Sequence, residues 1–224
     1  MDRFEEILAE LKTVFTGRSR WLDSLIPPVV FLILNSWRGL TFGVVGAVTS
    51  VGLITLVRLI KQQPIRYALA GMAGVVGATI IAQYSGRAEG YYLPGILTGL
   101  LTAILCLVSV MVKRPLVAWT SHLTRRWPLG WYWHSRVRPA YSEVTLAWMF
   151  FFGIRAFVQF NLYRQGAADT LGLVQLLTGW PAIIVLLVIS YLYGLWRLRS
   201  LKGPSVDEYI NLDEPPWQGQ QRGF

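Results

Sequence analysis

Few side chains in this sequence are placed where they could do chemistry, and Arg155 is the first of them. It is the one charge within an otherwise uncharged run over 144–163. Gln159 follows one helical turn later and shares its face. An arginine in hydrocarbon costs about 2.5–3.5 kcal/mol on insertion scales, so such a residue usually faces protein or a water-filled interior. Two readings stay open. The pair is a contact for a substrate or ion, or Arg155 is a hydrogen-bonded staple or a guanidinium snorkelling outward.

The other candidates carry less. His122 and His134 are the only histidines. They are far apart, with no cysteine or carboxylate cluster beside them, which predicts no metal centre. The single cysteine, Cys106, sits in an apolar run and cannot form an intrachain disulfide. Ser109 and Ser190 lack a recognisable base. No paired carboxylates fall within the apolar runs, which weakens proton-coupled transport and hydrolase chemistry alike. Glu143 is expected to pair with nearby loop arginines. Gly71, Gly74 and Gly77, and Gly95 with Gly99, have spacings that let helix backbones approach closely. They do not follow a strand, as a nucleotide-binding glycine motif would. No catalytic residue, metal or cofactor is expected, and the chain reads as a non-enzyme.

The elements that hold these residues are apolar. Of 224 residues, 54% are hydrophobic and 15% charged, against about a quarter charged in soluble domains. Uncharged runs cover 24–37, 39–57, 67–86, 90–112 and 170–196. With 144–163 they make six segments, most of them long enough for about 30 Å of hydrocarbon. The first is short, opens on Pro27 and Pro28, and suits either a full span or a re-entrant segment. The expectation is an all-α polytopic membrane protein of six transmembrane helices with an N-terminal amphipathic helix. Residues 1–20 form that helix, with Phe4, Ile7, Leu8, Leu11, Val14 and Phe15 on one face. Its acidic opening is not that of a secretory signal. Residues 21–198 form the membrane domain, and 199–224 read as a disordered tail, rich in proline, glutamine and acidic residues.

Charge sets the orientation. The net charge is +9, from 21 Lys and Arg against 12 Asp and Glu. With the N-terminus inside, only Arg38, Arg87 and Arg164 fall in outer loops, and Arg155 lies within a span. Every other basic residue is cytoplasmic, as the positive-inside rule requires. Both ends are then cytoplasmic. So is the 113–142 loop, where Lys113, Arg114, Arg125 and Arg126 mix with Trp127, Trp131 and Trp133. Beside a membrane, that mixture reads as a lipid or partner contact at an anionic headgroup layer rather than as a nucleic-acid surface.

Several short motifs resemble the intracellular septation protein A-like family of bacterial inner-membrane proteins, in an uncharacterised branch best known from actinobacteria. They are Leu25–Ile26–Pro27–Pro28–Val29–Val30–Phe31, Tyr91–Tyr92–Leu93–Pro94–Gly95, Lys113–Arg114–Pro115–Leu116, and Leu146–Ala147–Trp148–Met149–Phe150–Phe151. The resemblance covers roughly 22–198. It implies a multi-span protein of the bacterial inner membrane, connected with envelope integrity and division through partner proteins. No catalytic residues come with it. The expectation is therefore a scaffold for protein or lipid partners. The alternative is a small-solute or ion transporter with Arg155 and Gln159 lining its path.

Overall fold

The computed structural model describes residues 18–61, 65–220 and 223–224, with the side chains of all these except 18–25 and 65–71. The expected amphipathic helix over 1–20 lies outside this range but for its last three residues, which begin the first helix. Among the described residues the regular structure is entirely helical. In order it comprises α1 (Arg18–Arg38), α2 (Leu40–Ile60), α3 (Ile65–Ser85), a 3-10 turn (Ala88–Tyr92) and α4 (Leu93–Met111). These are followed by α5 (Leu116–Arg125), α6 (Leu129–Trp133), α7 (Arg138–Gln165), α8 (Ala168–Leu177), α9 (Trp180–Leu201) and α10 (Val206–Asn211).

Four stretches are long and apolar enough to cross a membrane: Leu40–Ile60, Ala88–Met111, Arg138–Gln165 and Ala168–Leu201. Their side chains turn Leu, Ile, Val and Phe outward, as at Leu53, Leu101, Ile154 and Val185, each more than half exposed. A water-soluble helix would bury such a face, so lipid is the solvent that fits it. The expected final run over 170–196 is not one helix. It divides between α8 and α9 at Thr178–Gly179. Gly179 has the weakest helix propensity after proline. Pro181 lacks an N–H and suits only the first turn of a helix.

The chain forms two compact units. The first comprises residues 1–95 and 159–180, the second 96–158 and 181–224. In the first unit α1 and α2 pack as a hairpin across a single residue. Gly39 adopts φ +83° and its N–H donates to the Asn35 carbonyl, closing α1 with the left-handed residue such ends favour. Gly43 lies where a β-carbon would stand 3.0 Å from the Asn35 β-carbon. Gly46 lies where one would overlap Leu34. These two let the hairpin close. Among the described residues nothing stands within 4 Å of Gly74 or Gly77, so no close approach is made there, and Gly71 lies outside the residues whose side-chain surroundings are described.

The 3-10 turn carries the aromatic centre of this unit. Tyr91 stacks on Phe31 at 3.9 Å between ring centroids, and Tyr92 meets both rings edge-on. Two glycines then accept polar side chains across the contact with α8. The Tyr92 hydroxyl lies over Gly172, and the Gln175 amide lies over Gly95. Gly95 therefore does serve close approach, whereas Gly99 has nothing within 4 Å. Around them Ser36 Oγ donates to Asp169 Oδ1 at 2.7 Å. Buried Glu89 pairs with Arg87 at 3.5 Å, and Arg87 also donates to the Tyr163 carbonyl.

The Tyr92 hydroxyl is buried and has no hydrogen-bond partner among the described residues, so its presence costs stability. Tyr92→Phe is expected to leave unfolding in detergent unchanged or to stabilise by about 1 kcal/mol. Gly172→Ala drives a methyl into that hydroxyl and into Leu32, with an expected loss of about 1–3 kcal/mol. The double variant should recover part of the loss, which thermal denaturation of all three proteins measures.

Candidate functional site

The residues expected to meet lipid or partners all belong to the second unit, and their placement begins where α4 ends. Lys113 takes φ +59°. Its N–H donates to the Val110 carbonyl, and that of Arg114 donates to Ser109 O at 2.8 Å. Ser109 Oγ then accepts from the Leu116 N–H at 3.0 Å. These bonds satisfy the last carbonyls of α4 and start α5 beside its final turn. Ser109 is thus a capping residue. Pro115 precedes the first residue of α5, where a missing N–H does no harm.

The expected 113–142 loop is consequently two short helices folded over a core. Trp131, Tyr132 and Tyr141 are each 0% exposed and pack with Ala118, Val137, Ala140, Val144, Leu198, Val206 and Phe224. Trp131, expected as a lipid or partner contact, is therefore a core residue instead. Its indole N–H donates to the Pro204 carbonyl at 2.9 Å, as a buried tryptophan requires. Trp127 and Trp133 are half-buried at the margin of the same core. The cations stand over them. Arg114 lies 4.4 Å above Trp133 and Arg125 4.9 Å above Trp127, distances at which a guanidinium gains from the ring face. Lys113, Arg114 and Arg126 are exposed, and Arg126 caps α5 at φ +60°. His122 Nδ1 lies 2.7 Å from the Trp127 carbonyl. Burial, and then Arg136, pushes the imidazole of His134 below its ordinary pKa. No group of three or more metal-ligating side chains occurs among the described residues.

The described residues of the tail, expected to be disordered, pack on the second unit's core. Ser205 and Glu208 form a reciprocal capping box at the start of α10. Tyr209 packs against the aromatic core, and Phe224 stacks on Tyr141 at 4.4 Å. The Phe224 ring also fills the space beside Gly194, where a side chain would overlap it. Arg125 Nε donates to the Phe224 carbonyl at 3.1 Å. Proline and glutamine made the segment look unfolded, but Val206, Tyr209 and Phe224 supply enough apolar surface to anchor it.

α7 presents its polar groups on one side. Tyr141, Thr145, Trp148, Phe152 and Arg155 recur at spacings of four and three, forming a buried or half-buried stripe. Phe150, Ile154 and Phe157 occupy the exposed face. Trp148 Nε1 donates to Ser190 Oγ of α9 at 3.0 Å. Glu143 does not pair with a loop arginine. It receives two 2.7 Å bonds from Arg197 and a third from the Tyr193 hydroxyl, all on α9. Arg155 Nε is buried without a hydrogen-bond partner among the described residues. One turn further along the helix, Gln159 is 1% exposed and its Nε2 is likewise unpaired. The sequence placed both on one helical face. It gave no sign of the Trp131 anchor or the Phe224 wedge, whose partners are distant in the chain.

Two outcomes follow. Trp131→Phe strands the Pro204 carbonyl, which should cost about 1–3 kcal/mol and speed tryptic cleavage at Arg199 and Lys202. Glu208 gives a pH dependence. Burial raises its pKa, but the backbone N–H groups of Gln218, Ser205 and Gly219 and the Ser205 hydroxyl outweigh it and hold the carboxyl below its ordinary value. A depressed folded-state pKa means stability present above the ordinary value of 4.5 and lost as pH falls through the lower folded value. Amide exchange over 205–218 should accelerate on acidification below that point, and Glu208→Gln should abolish the dependence.

A family model described as Protein of unknown function (DUF3159) matches residues 15–198. No curated protein and no solved structure matches the chain. The matched residues take in α1 to α8 and most of α9, and leave the tail outside. Because the match spans most of its length, the chain belongs to the family described as Protein of unknown function (DUF3159).

Proposed function

We propose that this chain is a non-enzymatic protein of the bacterial inner membrane and cell envelope, acting as a scaffold for protein or lipid partners. Its working surface is the second unit's aromatic and basic module. The observation that carries this reading is the pairing of a rigid core with exposed cations. Trp131, Tyr132 and Tyr141 fix the platform, while Lys113, Arg114 and Arg126 are exposed at its edge, Arg114 held over the Trp133 ring. A pre-ordered charged surface holds partners without an entropic cost of folding. The resemblance of the span-opening motifs to the septation protein A-like family supports an envelope role.

In this reading α1 and α3, each 21 residues long, join the four apolar stretches to give six spans. Helices of that length reach about 31 Å. The charge distribution supports cytoplasmic ends and a cytoplasmic module. The test is retention of partners. Combined Lys113→Gln, Arg114→Gln and Arg126→Gln should leave expression and folding intact. It should sharply reduce the anionic lipid or protein that co-purifies with the gently solubilised chain. Unchanged co-purification would exclude the module as the working surface.

A second reading rests on Arg155 Nε and Gln159 Nε2, two buried donors on one helix with no acceptor among the described residues. Such donors suit a passing anionic or polar solute. If they serve transport, Arg155→Met leaves thermal stability unchanged or raises it, because a buried Nε–H without an acceptor among the described residues is removed. The same variant abolishes solute flux into proteoliposomes. Wild-type vesicles that show no flux of inorganic or organic anions would remove this reading.

A further inference from the structure

α5 shows two different faces. One is sealed onto the aromatic core: Ala118 is wholly buried, and the Ser121 hydroxyl lies 3.1 Å from that of Tyr132. The opposite face carries Leu116, Trp119 and Leu123, at spacings of three and four. Trp119 is 40% exposed and Leu123 65%. An indole and a leucine left open on one side of a short helix call for an apolar or interfacial occupant.

Three observations identify it. The first is continuity. The Leu116 N–H is bonded to Ser109 Oγ on α4, so α5 starts level with the end of a helix apolar enough to span a bilayer. Met111 and Val112, immediately before the turn, are themselves exposed. The second is charge. Lys113 and Arg114 precede the helix, Arg126 ends it, and all three are exposed. No acidic residue occurs between Gly90 and Ser142. The third is residue type. Tryptophan settles where hydrocarbon meets headgroups, while lysine and arginine reach the phosphates.

We propose that α5 is an interfacial helix lying on the anionic leaflet at which α4 emerges. Trp119 and Leu123 enter the boundary between headgroups and acyl chains, and Lys113, Arg114 and Arg126 hold lipid phosphates. This deepens the reading of the module as a lipid or partner surface and rests on it. It commits one face of the module to lipid.

The full chain carrying Leu123→Cys, spin-labelled and reconstituted in phosphatidylethanolamine with phosphatidylglycerol, tests the idea. Cys106→Ser is the background. Should that variant fail to fold, the native chain serves, because Cys106 is buried. A label at Asn211→Cys, at the exposed end of α10, is the aqueous reference. The label at 123 should collide readily with oxygen and several-fold less than the reference with a water-soluble nickel chelate. Arg114→Gln with Arg126→Gln, or pure phosphatidylcholine, should raise nickel collisions toward the reference.

A label as open to nickel as the reference overturns the proposal. So does a label shielded from both reagents, which would mean that protein covers the face, whether residues 1–17 or a second copy. Depth that is indifferent to lipid charge and to both arginines overturns the anionic assignment. If the label proves aqueous while the triple charge variant still loses its co-purifying partners, the scaffold reading stands and this inference alone falls.

Discussion

Much of the second unit depends on how α4 stops. A helix ending at a membrane surface leaves carbonyls that lipid cannot satisfy, and they must find donors within the chain. Here the chain turns sharply through Lys113 in a left-handed conformation, and Ser109 reaches forward to the first N–H of α5. That turn fixes where α5 begins. Ala118 and Ser121 then face Trp131 and Tyr132, and the apolar side of α5 faces away. A looser exit would leave the arginines near the membrane but would not array them over tryptophan rings.

Each unit leaves three buried side-chain polar atoms without a hydrogen-bond partner among the described residues. In the second they are the Tyr141 hydroxyl, Arg155 Nε and Gln220 Nε2, beside closed pairs such as the Trp131 indole on Pro204, Trp148 on Ser190 and Glu143 on Arg197. In the first, Tyr92 and Gln175 are admitted by glycines on the facing element, yet the Tyr92 hydroxyl and Gln175 Oε1 stay unpaired. Gln159 Nε2 is the third such atom of the first unit. Burying unpaired polar atoms is costly, so in both units these contacts are held by shape more than by hydrogen bonding.

The sequence was most legible where physics is local. Long uncharged runs identified the helices, because hydrocarbon demands a continuous apolar segment of a set length. Arg155 and Gln159 shared a face because helical spacing alone decides that. The break at Thr178–Gly179 had a visible sign in Gly179 and Pro181, yet the uninterrupted hydropathy outweighed it. The capping box at Ser205 and Glu208 was also present in the residue types, hidden by a composition that resembles disorder. Trp131 could not be told from Trp127 or Trp133, since three tryptophans within seven positions have no useful period. Only the distant partners Pro204 and Phe224 separate them.

The Phe224 ring fills a place beside Gly194 that no larger residue could share. Gly194 lies inside the stretch common to the family, whereas Phe224 lies beyond it. The two positions are therefore coupled sterically: a side chain at 194 would displace the docked aromatic. Side-chain size at position 194 thus decides whether the end of this chain can fold back upon α9.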